Sequence, residues 1–237
     1  MVESLEQLHD RLRSIEQSLD THGYRPGPWE SLVRALRSRP AAERAALAGD
    51  VSRVSRKLHQ RQPRKTYPIP AAIALEVALA ILGPVMLAIS VRLHSNLLAI
   101  AGAGVWMTAI EPLLKYVVGR LLGVGYDYAY LFRNLEPRLK MDYGSYLAAS
   151  RSTRICLQLS GMVGSPLAAW RSAVILPATL AIGRRVCWIA FAVVTAINLG
   201  TLIIGLAGIR KLGSFRINDS SAGAAAIEIR EALGLNS

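Results

Sequence analysis

The 237 residues carry 28 Lys and Arg against 16 Asp and Glu, a formal charge of +12, yet 52% of them are hydrophobic and the mean hydropathy is +0.31. That apolar share exceeds the roughly 45–50% of ordinary soluble domains, and it is concentrated in residues 68–209, which excludes a wholly soluble protein. The positive charge gathers at the edges of apolar runs, where lipid headgroups are the simpler partner, and no nucleic-acid recognition motif accompanies it.

Residues 1–67 are polar and read as a small helical region. Leu5, Leu8, Leu12, Ile15 and Leu19 recur at three- and four-residue steps and draw a narrow apolar seam along a first helix. His22-Gly23 and then Pro26-Gly27-Pro28 end it, Trp29 to Arg37 form a second helix, and Pro40 opens a third. The seam lasts barely two heptads, so packing against the other two helices is favoured over coiled-coil pairing. No charged segment followed by an apolar core opens the chain, and the first apolar run is expected to serve as the membrane-targeting segment.

The third helix leads into Arg53, Arg56, Lys57, Arg61, Arg64 and Lys65, with no acidic residue among them, directly before that run. Basic residues flanking a span are retained on the cytoplasmic side, so the N-terminus is expected there, with these six side chains against anionic headgroups.

A span needs about 20 apolar residues, and four stretches qualify: 69–91, 96–122, 155–182 and 186–209. The first two are joined by Arg92 to Ser95 and should form an antiparallel hairpin. The 123–154 loop, with Arg133, Arg138, Lys140, Arg151 and Arg154, then returns to the cytoplasm, and Arg210, Lys211 and Arg216 keep the C-terminus there too. Arg184 and Arg185 alone oppose this scheme. The third stretch is interrupted by Arg171, Pro166 and Pro177 and reads either as one kinked span or as two partial ones. In the tail, 210–237, Ala222 to Leu233 is a short helix expected on the membrane surface or against the N-terminal helices. The fold class is therefore all-α, with about four transmembrane helices behind a helical cytoplasmic region, in the plasma (inner) membrane.

Charges at membrane depth cost roughly 2.5–3.5 kcal/mol on insertion scales, so Glu76, Glu111, Lys115 and Arg171 each call for a reason. Glu111 and Lys115 stand four apart, acid first, which suits a self-neutralising pair; the alternative is a polar cluster of all four across the bundle. Cys156 and Cys187 have no metal or redox spacing and read as packing residues. His9, His22, His59 and His94 are isolated along the chain.

The stretch Glu111-Pro-Leu-Leu-Lys115-Tyr-Val-Val-Gly119-Arg120-Leu-Leu-Gly123-Val124 resembles the active-site helix of the site-2 protease family of intramembrane zinc metalloproteases. That helix reads HExxH, three residues, a small residue, an Arg and, three further on, Gly-Val, which Gly119, Arg120, Gly123 and Val124 match. The ligand positions, however, hold Glu111 and Lys115, and the catalytic glutamate position holds Pro112. A protonated amine cannot coordinate zinc, and no carboxylate is placed to deprotonate a bound water. Two further stretches follow the family's order. Gly125 to Tyr146, rich in tyrosine, stands where the family has a membrane-associated β-rich segment, which would add a short interfacial β-rich loop to the all-α fold; on the residues alone an interfacial aromatic anchor is favoured over a binding loop. Ser160-Gly-Met-Val-Gly-Ser-Pro166-Leu-Ala-Ala169 resembles the family's Gly-Pro-Leu-Ala-Asn entry to its next helix. Of the last motif, only Asn198-Leu199 is present, with no metal-binding acid after it. The resemblance implies a degenerate protease fold, a pseudoprotease with no catalytic residue, no metal and no cofactor.

The expected function is non-enzymatic: a multi-pass scaffold or regulatory protein, with anionic lipid headgroups and a protein bound through the N-terminal helices as its partners. The alternative is a transporter or channel component in which the four intramembrane charges line a polar path; four spans rarely enclose a pore alone, so this requires an oligomer. An enzyme acting on lipid at the interface lacks any nucleophile–base pair or phosphate loop.

Overall fold

Ser4 starts the first helix by accepting a hydrogen bond from the Gln7 N–H while its own N–H donates to the Gln7 side chain. This reciprocal cap satisfies two donors that every helix start leaves over. The computed structural model describes residues 3–23, 27–61, 65–132, 136–213 and 215–235. Within it, α1 spans Leu5–His22 and buries Leu8, Leu12 and Leu19, while Leu5 stays exposed, so the seam is narrower than its sequence pattern. Helix α2 spans Pro28–Arg37 with its proline at the first position, where the missing N–H costs nothing. The expected third helix is two: α3, Ala41–Ala46, and α4, Ala48–Gln60, separated at Leu47, whose backbone (φ −94°, ψ −1°) lies at the edge of the helical region. Helix α1 packs on α2 and α4, burying Leu32, Leu36, Val51 and Val54.

Three strands follow in the order β1-β2-β3, all antiparallel: β1 Thr66–Tyr67, β2 Tyr126–Phe132 and β3 Glu136–Met141. Tyr130 lies opposite Thr66 on one side and Arg138 on the other. Asp142 then caps the short α7, Tyr143–Ala148, by accepting from the Gly144 N–H.

The chain forms two compact units that differ from a division at residues 67 and 209. The first unites residues 1–69 with 120–150; the second unites 70–119 with 151–237. The 120–150 stretch thus belongs with the N-terminal helices, because β2 and β3 build the sheet with β1 and α7 packs on α3 and α4. The C-terminal 28 residues expected as a separate tail belong with the apolar helices.

The second unit holds α5 Ile69–Leu93, α6 Asn96–Leu121, α8 Arg151–Ile175, α9 Ala181–Leu206 and α10 Ser221–Ala232, with a two-residue hairpin, β4 Lys211–Leu212 and β5 Phe215–Arg216, between the last two. Helices α5 and α6 cross where a Cβ on Gly83 would lie 2.6 Å from the Trp106 Cβ; only glycine allows that approach. Leu87, Ala99, Ala103, Ala173, Leu176, Leu180 and Cys187 form one core from α5, α6, α8, α9 and the link between the last two. Three segments, Ile69–Leu93, Asn96–Leu121 and Ala178–Leu206, are long and apolar enough to cross a membrane, with mean hydropathies of 2.4, 1.7 and 2.2. Large side chains such as Ile81, Ile189 and Ile203 remain exposed on them, as helices facing lipid require.

The expected stretch 155–182 is not among those three. Helix α8 is one continuous helix through Pro166 and not two partial ones, and it ends at Ile175, short of the predicted 182. Pro177 has no N–H to donate and disfavours helical backbone at Leu176, which sets the break. Arg184 and Arg185 consequently lie inside α9, not in the turn before it. Pro166 also deprives the Met162 carbonyl of its helical donor, and the Asn198 amide supplies one from α9 at 2.8 Å. Helix α10 packs on α8 and α9 through buried Ala222, Ala225 and Ala226.

Candidate functional site

On α6, Glu111 and Lys115 are one turn apart and face α8 and α10. The Ser221 hydroxyl, at the first position of α10, accepts from the Lys115 ammonium at 3.3 Å and donates to Glu111 Oε1 at 3.3 Å. The Ser165 hydroxyl of α8 donates to Glu111 Oε2 at 3.1 Å and to the Met107 carbonyl at 3.0 Å. Gly161 and Gly164 make this approach possible: a Cβ on Gly164 would come within 2.7 Å of the Glu111 Cα, and one on Gly161 within 2.6 Å of the Ser221 hydroxyl. The stretch likened to a helix entry is thus the middle of α8, and its small residues serve to let α6 and α10 come close.

The structure does not bring the other two predicted charges to this cluster. Glu76 is buried on α5, 4% exposed, and has no hydrogen bond or ion pair among the described residues. Arg171 is exposed, its guanidinium 5.6 Å from the centre of the Trp170 ring. A different charge pair is buried instead. Arg154 Nε donates to Glu228 Oε2 at 2.8 Å, with both side chains at 0–1% exposure. Arg154, expected in the loop as a cytoplasmic marker, lies inside α8. The signal for its partner was the run Ala222-Gly-Ala-Ala-Ala before Glu228, a small-residue face that permits close helix packing.

No protein-family model, curated protein or solved structure matches the chain. Among the described residues no group of three or more His, Cys, Asp or Glu is placed to hold a metal ion.

In the first unit the basic cluster is not a bare positive face. Arg53 pairs with Glu16 (3.1 Å) and Asp50 (2.7 Å), Arg56 with Asp127 (2.5 Å), Lys57 with Asp20 (2.6 Å), and Arg61 with Asp20 (3.9 Å). Hydrogen bonds to Glu16, Asp127 and Asp20 hold Arg53, Arg56 and Lys57 respectively above their ordinary pKa values. Lys65 is exposed, and Arg64 lies outside the described residues, as do Pro26 and Arg133. Tyr128, Tyr130, Tyr143 and Tyr146 pack within their own unit. His59 Nδ1 is 2.7 Å from the Tyr128 hydroxyl and the ring meets Tyr130 edge-on, while Tyr143 contacts Trp29 and stacks on Tyr146.

Lys140 donates to Ser55 (2.9 Å) and the Met141 carbonyl (3.0 Å). Burial lowers its pKa, against the pull of Asp127 and Asp142 and with the push of Arg56. The unfolded chain therefore holds this proton to higher pH than the folded one, so stability rises with pH between the lowered value and the ordinary lysine value. In Lys140→Met that rise is expected to flatten, as read from thermal unfolding at a series of alkaline pH values.

Proposed function

We propose that this chain is a multi-pass membrane scaffold or regulatory protein, a pseudoprotease that resembles the site-2 family without its metal. The observation that carries this reading is the closure of the Glu111–Lys115 turn by Ser165 and Ser221. Where the protease helix presents metal ligands to a water, this helix presents a carboxylate and an ammonium to hydroxyls of its own chain. Helix α8, antiparallel to α9, acts as a fourth span, and both termini lie in the cytoplasm on the asymmetry of Arg and Lys. The N-terminal helices with the β1–β3 sheet then form a cytoplasmic module for a protein partner, and exposed Lys65 faces anionic headgroups.

Purified full chain is expected to carry no stoichiometric zinc and to leave a transmembrane peptide uncut. Glu111→Gln is expected to lower stability by about 1 kcal/mol, the worth of the hydrogen bonds it weakens. Stoichiometric zinc, or peptide cleavage lost in Glu111→Gln, overturns the proposal. Glu76 favours the second reading, a channel or transporter component, because an unpaired carboxyl on a membrane helix marks an ion path in other proteins. Proton or cation flux in liposomes that disappears in Glu76→Gln would establish that reading instead.

A further inference from the structure

Between α8 and α9 lies an apolar groove of about 370 Å³, lined by Val163, Leu167 and Trp170 on one side and Phe191, Thr195 and Leu199 on the other. Its volume falls in the roughly 300–1,000 Å³ range of ligand sites. Beyond the lining residues each helix carries a cation. On α8, Val163, Leu167 and Arg171 follow at steps of four; on α9, Arg184, Trp188, Phe191 and Thr195 follow at steps of four, three and four, so each arginine extends the helix face that lines the groove. The short link from Ile175 to Ala181, together with the Asn198–Met162 hydrogen bond, runs the two helices antiparallel, which puts Arg171, near the end of α8, and Arg184, near the start of α9, toward the same end of the groove. Both are exposed, neither has an ion pair among the described residues, and no Asp or Glu occurs from Arg151 to Leu206. Trp170 and Trp188 flank them, in keeping with the headgroup preference of tryptophan.

Arg171 and Arg184, like Arg92 and Arg185, lie on the side opposite the main basic clusters, and a negative ligand supplies a reason for the first two. We propose that the groove holds one acyl chain of an anionic phospholipid whose phosphate sits on Arg171 and Arg184. The inference rests on the membrane topology proposed above. Arg171 reaches toward the headgroup level along its aliphatic stem, as long cationic side chains near membrane surfaces do, and its guanidinium can hold phosphate oxygens through two parallel donors.

The test is photolabelling of the full chain in phosphatidylcholine bilayers doped with either phosphatidylglycerol or phosphatidylcholine bearing a diazirine on the acyl chain. After tryptic digestion, phosphatidylglycerol label is expected several-fold enriched on peptides 155–171 and 186–210 over peptide 66–92, which carries α5; the phosphatidylcholine analogue should show no such enrichment. Arg184→Gln should lower the enrichment about fivefold, the share of one cation near a phosphate surface, and Leu167→Trp, on an exposed position that leaves the core untouched, should abolish it by filling the groove. Equal labelling of all three peptides, or equal labelling by the two lipids, would overturn the lipid site. Extraction of the chain from membranes by alkaline carbonate would overturn the topology as well, so the two failures are distinguishable.

Discussion

Glu228→Ala is expected to lower the stability of the full chain by about 3–5 kcal/mol, the cost of leaving a buried charge without its counter-ion. Arg154 and Glu228 are almost wholly removed from solvent and bonded at 2.8 Å. Removing the carboxylate takes from the buried Arg154 guanidinium the counter-ion that α10 supplies, and a guanidinium cannot be deprotonated to compensate. Arg154→Met together with Glu228→Leu should recover most of the loss, since well-packed apolar residues of similar volume often replace a buried pair without penalty. The measurement is reversible denaturant unfolding in micelles, run as a double-mutant cycle. The same variant reports on the Glu111–Lys115 site. If α10 is anchored by Glu228, Ser221 should also leave its place, and a cysteine at position 221 should react with a maleimide faster in Glu228→Ala than in the parent.

The apolar periodicity marked α1, and the long runs interrupted at Arg92–Ser95 placed α5 and α6 to within two residues of their ends. Such features are local: a seam of leucines or a run of 25 apolar residues is visible in a window. Helix α8 was harder because its apolar residues continue past Pro177 into Leu180 and Ile182, so hydropathy alone carried the segment across a break that backbone sterics impose. The partners of the basic cluster were hidden for another reason. No acid occurs between Arg53 and Lys65, but Glu16 and Asp20 come from α1 and Asp127 from β2, brought there by tertiary pairing. Glu228 stands 74 residues from Arg154, so an arginine that reads as a loop marker becomes a buried ion-pair partner only once α10 is docked.

For the candidate site, Glu111 and Lys115 could be singled out as charges in an apolar helix, and they do share a hydroxyl. Ser165 and Ser221 could not, because serine is tolerated in membrane helices for many reasons, among them a bond to its own backbone. Arg171 and Glu76 carry the same membrane cost as Glu111, yet packing sends them elsewhere, one to an exposed face and one into the interior. The cost of a charge identifies a residue that needs an explanation; it does not identify the partner.

In the first unit the largest effect is expected from Gly144→Ala. A Cβ at Gly144 would fall inside the contact distance of the Ala48 carbonyl oxygen and of the Ser52 hydroxyl, where α7 lies against the start of α4. The Gly144 N–H donates to both Asp142 Oδ1 and Ser52 Oγ at 3.2 Å, and the Ser52 hydroxyl donates to Ala48 and to the Asp142 carboxylate. A methyl group must push α7 outward and break several of these bonds together, so the loss should reach about 3 kcal/mol, the upper end of ordinary overpacking. Ser52→Ala, which removes the hydroxyl without adding bulk, should cost only about 1 kcal/mol. Gly49→Ala provides the opposite sign one turn earlier in α4: no atom lies within 4 Å of its Cβ position, so the substitution should stabilise the helix by about 0.5–1 kcal/mol through lower backbone entropy in the unfolded chain. Unfolding followed by fluorine resonance of 5-fluorotryptophan at Trp29, whose ring packs on Tyr143, reads all three variants in this unit alone. A Gly144→Ala loss no larger than that of Ser52→Ala would mean that α7 has room to move and that the contact with α4 is not what holds it.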